Sequence, residues 1–589
     1  MKNFFKYVLA TITGIVLVTF IMGLIAFAII GALVNSSSEN VVELKPKSIY
    51  HLHLNSVVVD RERESDFPTF NMQTFKPEKS MGLNVLLSNI EKAKNDSNII
   101  GIYLELGNFD MGGATMEELR NALVDFKTSD KFIYSYSENY SQSGYYLASV
   151  SDSIYLNTLG MVEWMGLRSE VLFFTGMFEK FGIQAEVIRH GKFKSAVEPY
   201  MLKKMSDENK LQTLSYVQTF WDTWKEAISE GRNLNKDSLQ YWADELVLRT
   251  GDDALTRKLV DKLVYADEMN SILTSRSKKE DKDEPIFVSH SDLKKVKVTN
   301  PKGFAKNKIA VIYAVGTIQS GEGDAETIGS ETIAKAIADA RKDSSIKAIV
   351  FRVNSPGGSA QASDVIWREL KLARETKPLI VSMGDLAASG GYYISCIADS
   401  IISSRTTITG SIGVFGVLMN VNKLLEKEIG ITTDGVSTAK NAGLGSPFRP
   451  LTNQQKDAVQ SMIENIYDIF TMRVADGRKL QQTYVDSIGQ GRVWSGKHAL
   501  DINLVDKFGG LNEAVAMASR MAKLDNYRVV NFPKEADPVE EILKSISGGA
   551  SSSIWNNELK EMKWVAKLYS DLLKMDEIQA RMEYVIHIY

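Results

Sequence analysis

Residues 346–359 read IKAIVFRVNSPGGS. The run from Ala348 to Val353 is a buried strand by its apolar, β-branched content, and Pro356, Gly357 and Gly358 end it as a turn. Around it, 309–315 reads as another strand, 360–374 as a helix and 379–383 as the next strand, and the chain after Ser389 has a helical pattern. Strand–helix alternation at this spacing predicts an α/β fold with largely parallel strands. Functional groups in such sheets collect on loops beyond the carboxyl ends of strands. Two segments fall there, 354–359 (NSPGGS) and 384–391 (GDLAASGG).

The decisive stretch has a counterpart upstream. IIGIYLEL at 99–106 matches IKAIVFRV at 346–353, 247 positions later. YYLASVSDSIYL from Tyr145 matches YYISCIADSIIS from Tyr392 at the same offset. Gly182-Ile183 and Pro199-Tyr200 match Gly430-Ile431 and Pro447-Phe448 at an offset of 248. Such constant registers mark a duplicated unit. The copies are expected at 48–270 and 306–530, with a charged linker at 271–305 around SRSKKEDKDEP (275–285). After it, 531–589 is expected as a helical extension, with a Gly/Ser hinge at 547–553 and helical spacing at 559–573.

The two loops suggest chemistry. Ser389 follows small residues and precedes two glycines and a helical pattern, so it reads either as an N-cap or as a nucleophile at a helix start. Gly357 and Gly358 can present backbone N–H groups unobstructed, as an oxyanion hole requires, or they can form a plain turn. No histidine lies in a repeat-matched loop, so a base would have to be a lysine made neutral by burial. Lys194, in KFKSAVEPY (192–200), sits among small and apolar residues, although most lysines are solvated charges.

NSPGGS, AASGGYYIS (387–395), TGSIGVFG (409–416) and KSAVEPY (194–200) together resemble the signal peptide peptidase A family, also called protease IV. The resemblance is to its long, duplicated, membrane-anchored form and covers nearly the whole chain. It implies tandem ClpP/crotonase-like domains and a serine endopeptidase with a Ser–Lys dyad. Position by position, it makes Ser389 the nucleophile, Lys194 the general base and Ser411 the residue that orients the lysine. The oxyanion would then meet Gly357 or Gly358 and the N–H of Gly390. It also implies signal peptides and other hydrophobic peptides as substrates, a homo-oligomer (a tetramer), and a place in the bacterial inner membrane with the catalytic body on the periplasmic face. The repeat offsets agree with a composite site. Gln142 stands where Ser389 is expected in the first copy, and Ala442 where Lys194 is expected in the second. Lys192 and its counterpart Lys440 are read as non-catalytic. A catalytically silent, membrane-anchored peptide-binding scaffold is the alternative. An acyl-CoA enzyme is a third reading, disfavoured by the anchor and by the lack of a well-placed carboxylate.

The ends and the composition fit this reading. Residues 7–34 carry no charge and are long enough to span a roughly 30 Å hydrocarbon core, so a single transmembrane anchor is expected behind a short cytoplasmic tail at 1–6. Lys plus Arg (69) against Asp plus Glu (73) gives a net charge of −4, which offers no basic face for nucleic acid. A single cysteine, Cys396, excludes an intrachain disulfide and any zinc site built on two cysteines. No cofactor or metal is expected. His51 and His53 share one face of a strand, but with no third ligand nearby in sequence they read as ordinary histidines.

Overall fold

The computed structural model describes residues 42–534 except 63–68, 72–75, 79, 278–283, 297–302, 304 and 324–326, together with 579–581 and residues 6–7, 13–14, 17–18 and 21. The expected anchor at 7–34 therefore falls almost wholly outside the described residues, among which no helix is long and apolar enough to cross a membrane. The expected helix at 559–573 and the hinge at 547–553 also lie outside them.

Each copy builds a sheet whose main strands are parallel, and the second copy's sheet adds Ile408–Gly410 and, antiparallel to it, Val493–Ser495. In the first, six strands run in the order Lys262–Leu263, Ser153–Leu156, Phe132–Ser137, Ile99–Leu106, Ser48–Leu54 and Phe287–Ser289. The second repeats it with Lys507–Phe508, Ser400–Ser403, Leu379–Ala388, Ile346–Ser355, Lys308–Val315 and Arg528–Phe532. The strand Ile346–Ser355 is central, and its residues from Ala348 to Val353 have no exposure on either face, as expected for a parallel sheet covered on both sides. Helix Ala360–Arg374 packs beside it, capped by Ser359, whose hydroxyl accepts the N–H of Ala362.

Three expectations change. The linker at 271–305 is narrower, because helix Ala266–Ser277 enters it and Phe287–Ser289 pairs with Ser48–Leu54 in the first sheet. The third strand of the second copy runs on through Asp385 to Ala388 instead of stopping at Met383, because Leu386, Ala387 and Ala388 gain a partner in Ile408–Gly410. Residues 579–581, expected within a helical extension, form a strand.

The first copy's apolar core extends into the second, which also has a core of its own. Ile309, Val311, Ala348, Val350 and Ala514 of the second lie in one cluster with Leu52, Leu86, Leu104 and Leu119 of the first. A charged clasp crosses the same boundary. Arg352, wholly buried, donates through Nε to Asp60 (2.7 Å) and through Nη1 to Glu118 (2.7 Å) and Ser382 Oγ (2.9 Å). Asn354 donates to the other oxygen of Asp60 at 2.5 Å, and Glu118 Oε2 accepts the N–H of Leu511 at 2.8 Å. Burial pushes the Glu118 carboxyl up to about 7, against the pull of the guanidinium beside it. Burial also opposes the charge on Arg352, but Glu118 and Asp60 outweigh it and hold the guanidinium ionised.

A mixed third sheet ties the copies together at the far end. Its order is Thr327–Gly329, Thr317–Gln319, Gly357–Ser359, Gln579–Arg581, Phe415–Asn420 and Gln184–Arg189. The last of these belongs to the first copy and runs antiparallel to Phe415–Asn420, Arg189 opposite Phe415.

Two outcomes follow for the clasp. Arg352→Ala leaves two carboxylates buried without their cation and should cost about 3–5 kcal/mol, read by chemical denaturation. Because the Glu118 pKa is raised on folding, its contribution is complete below its unfolded value and is lost as pH rises through about 7. Glu118→Gln should therefore flatten the fall in stability between roughly pH 5 and 8.

Candidate active site

The third sheet brings the first copy's lysine to the second copy's serine. Gln184–Arg189 ends five residues before Lys194, and its partner strand Phe415–Asn420 begins just after Ser411 and Gly413. Arg189 Nη1 donates to the Lys194 carbonyl (3.0 Å), fixing the loop. Gln212, on helix Asp207–Arg232, donates to Ser195 Oγ (2.6 Å) and accepts the N–H of Val493 (3.0 Å) from the second copy.

Lys194 is 1% exposed and Ser389 is fully buried. Lys194 Nζ donates to Ser389 Oγ at 2.8 Å, to Ser411 Oγ at 3.0 Å and to the Ser411 carbonyl at 3.2 Å. The three acceptors are neutral oxygens. Ser389 Oγ lies 3.4 Å from the carbonyl of Gly413.

Ser389 precedes helix Gly390–Ser395 but makes no capping bond with its side chain, unlike Ser359. Its backbone sits at φ 55°, ψ −115°, a conformation that costs a non-glycine residue of order 1–3 kcal/mol. The peptide N–H of Ser389 donates to Gly410 (2.8 Å), which pins the turn. This strained strand-to-helix turn turns Oγ away from the helix N–H groups and onto Lys194. The N-cap reading of Ser389 is thereby excluded.

The glycine loop lies alongside. Gly357 has φ 103°, and its N–H donates to Ser355 Oγ at 3.1 Å. A Cβ on Gly358 would meet the Ile318 carbonyl oxygen at 2.0 Å, so that position admits only glycine. Gly390 opens the helix behind Ser389. Asp385 anchors the serine strand to the first copy by accepting from Thr115 N (2.9 Å) and Thr115 Oγ1 (2.7 Å). Burial, with the neighbouring Asp60 charge, raises its pKa against the pull of Thr115.

The sequence missed the packing around the lysine stem. A Cβ on Gly491, where φ is +78°, would lie 2.6 Å from Lys194 Cβ, and one on Gly413 would lie 3.3 Å from Lys194 Cδ. Gly413 was inside the TGSIGVFG motif, whereas nothing in 489–494 (GQGRVW) signals contact with a residue nearly 300 positions upstream. Lys192 and Lys440 are exposed. In the first copy Gln142 fills the serine's place, accepting from Met165 N (2.9 Å) and Gly166 N (3.0 Å). Elsewhere, Glu105 joins His51 and His53 as the third group that sequence did not reveal. His51 Nε2 lies 2.6 Å from its carboxylate, and that bond holds the Glu105 pKa down.

Residues 125–279 and 371–525 each match peptidase family S49. The chain is 39% identical to Protease 4 of Haemophilus influenzae over 76% of its length and 74% of that protein's. It is 37% identical to Protease 4 of Salmonella typhi, covering 80% of this chain and 76% of the other. It is 32% identical to the chloroplastic serine protease SPPA of Arabidopsis thaliana, covering 85% and 74%. Among solved structures, a ClpP1 from Listeria monocytogenes matches 35% of the chain and 94% of its own at 14% identity, with a TM-score of 0.24.

The tight fit at Gly491 gives a test away from the reacting atoms. Gly491→Ala should displace the lysine stem and lower peptidase kcat/KM by about 10–100-fold, since a 1 Å misplacement costs that order. An unchanged melting transition alongside would separate displacement from unfolding.

Proposed function

The chain belongs to peptidase family S49 and is a serine-type peptidase, and on that premise we propose that Ser389 and Lys194 form its catalytic dyad. The observation that carries the reading is the 2.8 Å contact between Lys194 Nζ and Ser389 Oγ inside a water-poor site. Burial disfavours the charged ammonium, and a neutral amine is the form a general base needs.

With the amine neutral, the same contact reverses, and the serine hydroxyl donates to the nitrogen lone pair. Ser389 Oγ then adds to the substrate's carbonyl carbon as Lys194 takes its proton. The oxyanion is held by the N–H groups of Gly358 and Gly390, or of Gly357 once that group leaves Ser355 Oγ. Ser411, through its hydroxyl and carbonyl, holds the ammonium while it passes a proton to the leaving amine. Water then hydrolyses the acyl-enzyme by the same route in reverse.

The substrates proposed are signal peptides and other short hydrophobic segments. A membrane anchor at 7–34 would hold the catalytic body on the periplasmic face of the bacterial inner membrane, close to where such peptides are released. A homotetramer, as the family resemblance implies, would enclose the sites and admit only extended chains. These assignments rest on the resemblance and on the apolar run at 7–34.

Purified full-length protein and a fluorogenic hydrophobic peptide ester test the dyad. Ser389→Ala and Lys194→Ala should each lower kcat/KM by ~10³-fold or more. In the wild type kcat/KM should rise with pH over roughly pH 6 to 10 as the lysine loses its proton. A Lys194→Ala variant as active as the wild type would remove the lysine from the mechanism.

A further inference from the structure

Side-chain alternation along Ser48–Leu54 sends Tyr50, Leu52 and Leu54 to one face of the first sheet and Ile49, His51 and His53 to the other. The first set enters the large core, whereas Ile49 joins a small cluster with Met269 and Leu273. Those two side chains come from helix Ala266–Ser277, which covers this second face near Ile49. Further along the strand the face carries imidazoles, and both stay partly open, His51 at 27% and His53 at 42% of the side chain. Parallel pairing with Ile99–Leu106 then sets Tyr103 opposite His51 and Glu105 opposite His53.

Both imidazoles converge on one carboxylate oxygen. His51 Nε2 lies 2.6 Å and His53 Nδ1 3.9 Å from Glu105 Oε2, and the three ligand atoms all fall within 4.8 Å of one another. The two rings are parallel to within 1°, with centroids 5.8 Å apart. Tyr103 (4.9 Å) and Phe287 (5.0 Å) pack on the His51 ring and fix its orientation. Two imidazole nitrogens and a carboxylate oxygen make a His₂Glu donor set, which takes zinc with water as the fourth ligand of a tetrahedron. Zinc bonds of about 2.1 Å place tetrahedral donors roughly 3.4 Å apart, so Glu105 would back away from His51 by about 0.8 Å and close on His53 by about 0.5 Å. Small χ rotations of partly exposed side chains supply such shifts. Magnesium and calcium prefer all-oxygen sites, which this is not.

We propose that His51, His53 and Glu105 form a zinc-binding site on the face of the first sheet that points away from the large core. The ion ties strand Ser48–Leu54 to its neighbour Ile99–Leu106. Glu105 lies more than 50 positions from the histidines in sequence, so the folded chain assembles the set and the unfolded chain does not. Zinc therefore stabilises the fold by mass action. The site uses neither Ser389 nor Lys194 and does not rest on the Ser–Lys reading.

Calorimetric titration with zinc chloride tests this on full-length protein purified without a histidine tag and stripped by a chelator, with thermal melts of the same samples. The wild type should bind one zinc ion per chain and melt at a higher temperature with it, and magnesium chloride should do neither. His53→Ala and Glu105→Gln should bind zinc about 100-fold or more weakly, since even outer-shell changes at metal sites cost 10–100-fold. Glu105→Gln keeps a hydrogen-bond acceptor for His51, so its metal-free melt should match the wild type and separate lost binding from lost fold. No zinc binding by the wild type overturns the site and leaves a plain histidine–carboxylate hydrogen bond. Equal zinc affinity in the wild type and both variants, or an equal response to magnesium, overturns it as well.

Discussion

A lysine from one copy of the repeat must end within hydrogen-bond reach of a serine from the other. This constraint fixes the relation of the two copies to within a fraction of an ångström, because the contact is 2.8 Å and buried. The apolar cluster that spans both copies contributes burial but no directional bond. Arg352 sits two residues before Asn354, where the glycine loop begins, and binds Asp60 and Glu118 of the first copy. Asp385 sits four residues before Ser389 and is held by Thr115 of the first copy. The glycine loop and the Ser389 strand are thus both pinned to the opposite copy. Buried ion pairs add little net stability over apolar packing, so the value of this clasp lies in registry.

The duplicated position in the first copy is occupied differently. In the first copy Gln142 stands at the position matching Ser389 and uses its amide to bind the backbone of Met165 and Gly166. That segment corresponds to 411–414, the stretch that carries Ser411 beside Lys194 in the second copy. A serine there would leave these N–H groups without the amide. The serine strand of the second copy reaches Ala388, whereas its counterpart Phe132–Ser137 stops short. The extra length pairs with Ile408–Gly410 and ends in the strained turn that directs the hydroxyl to Lys194.

Much of this was legible in the sequence because duplication provides an internal comparison. The constant offsets exposed the repeat, the family resemblance singled out Ser389 and Lys194, and the complementary positions of Gln142 and Ala442 agree with it. Strands at 309–315 and 348–353 and helix 360–374 were readable from apolar patterning and turn residues. What escaped depends on chain segments that only the fold brings together. Arg352 looks like an interruption in an apolar run until Asp60 and Glu118 are seen beside it. Glu105 becomes the neighbour of His51 and His53 through strand register, His53 lying opposite Glu105. Gly491 carries no local signal, since its role is to leave room for a lysine stem. Segment 384–388 read as a loop because its partner strand lies twenty residues on. Residues 579–581 gave no strand signal because their pairing partners lie more than 150 residues upstream.

The most direct measurement is the site and pH dependence of covalent labelling by a serine-reactive phosphonate, followed by peptide mapping. One adduct is expected, on Ser389, formed faster as pH rises in the wild type and slowly, with that pH dependence lost, in Lys194→Ala. An adduct on another residue, or equal labelling rates in the two proteins, would contradict a serine activated by a lysine from the opposite repeat.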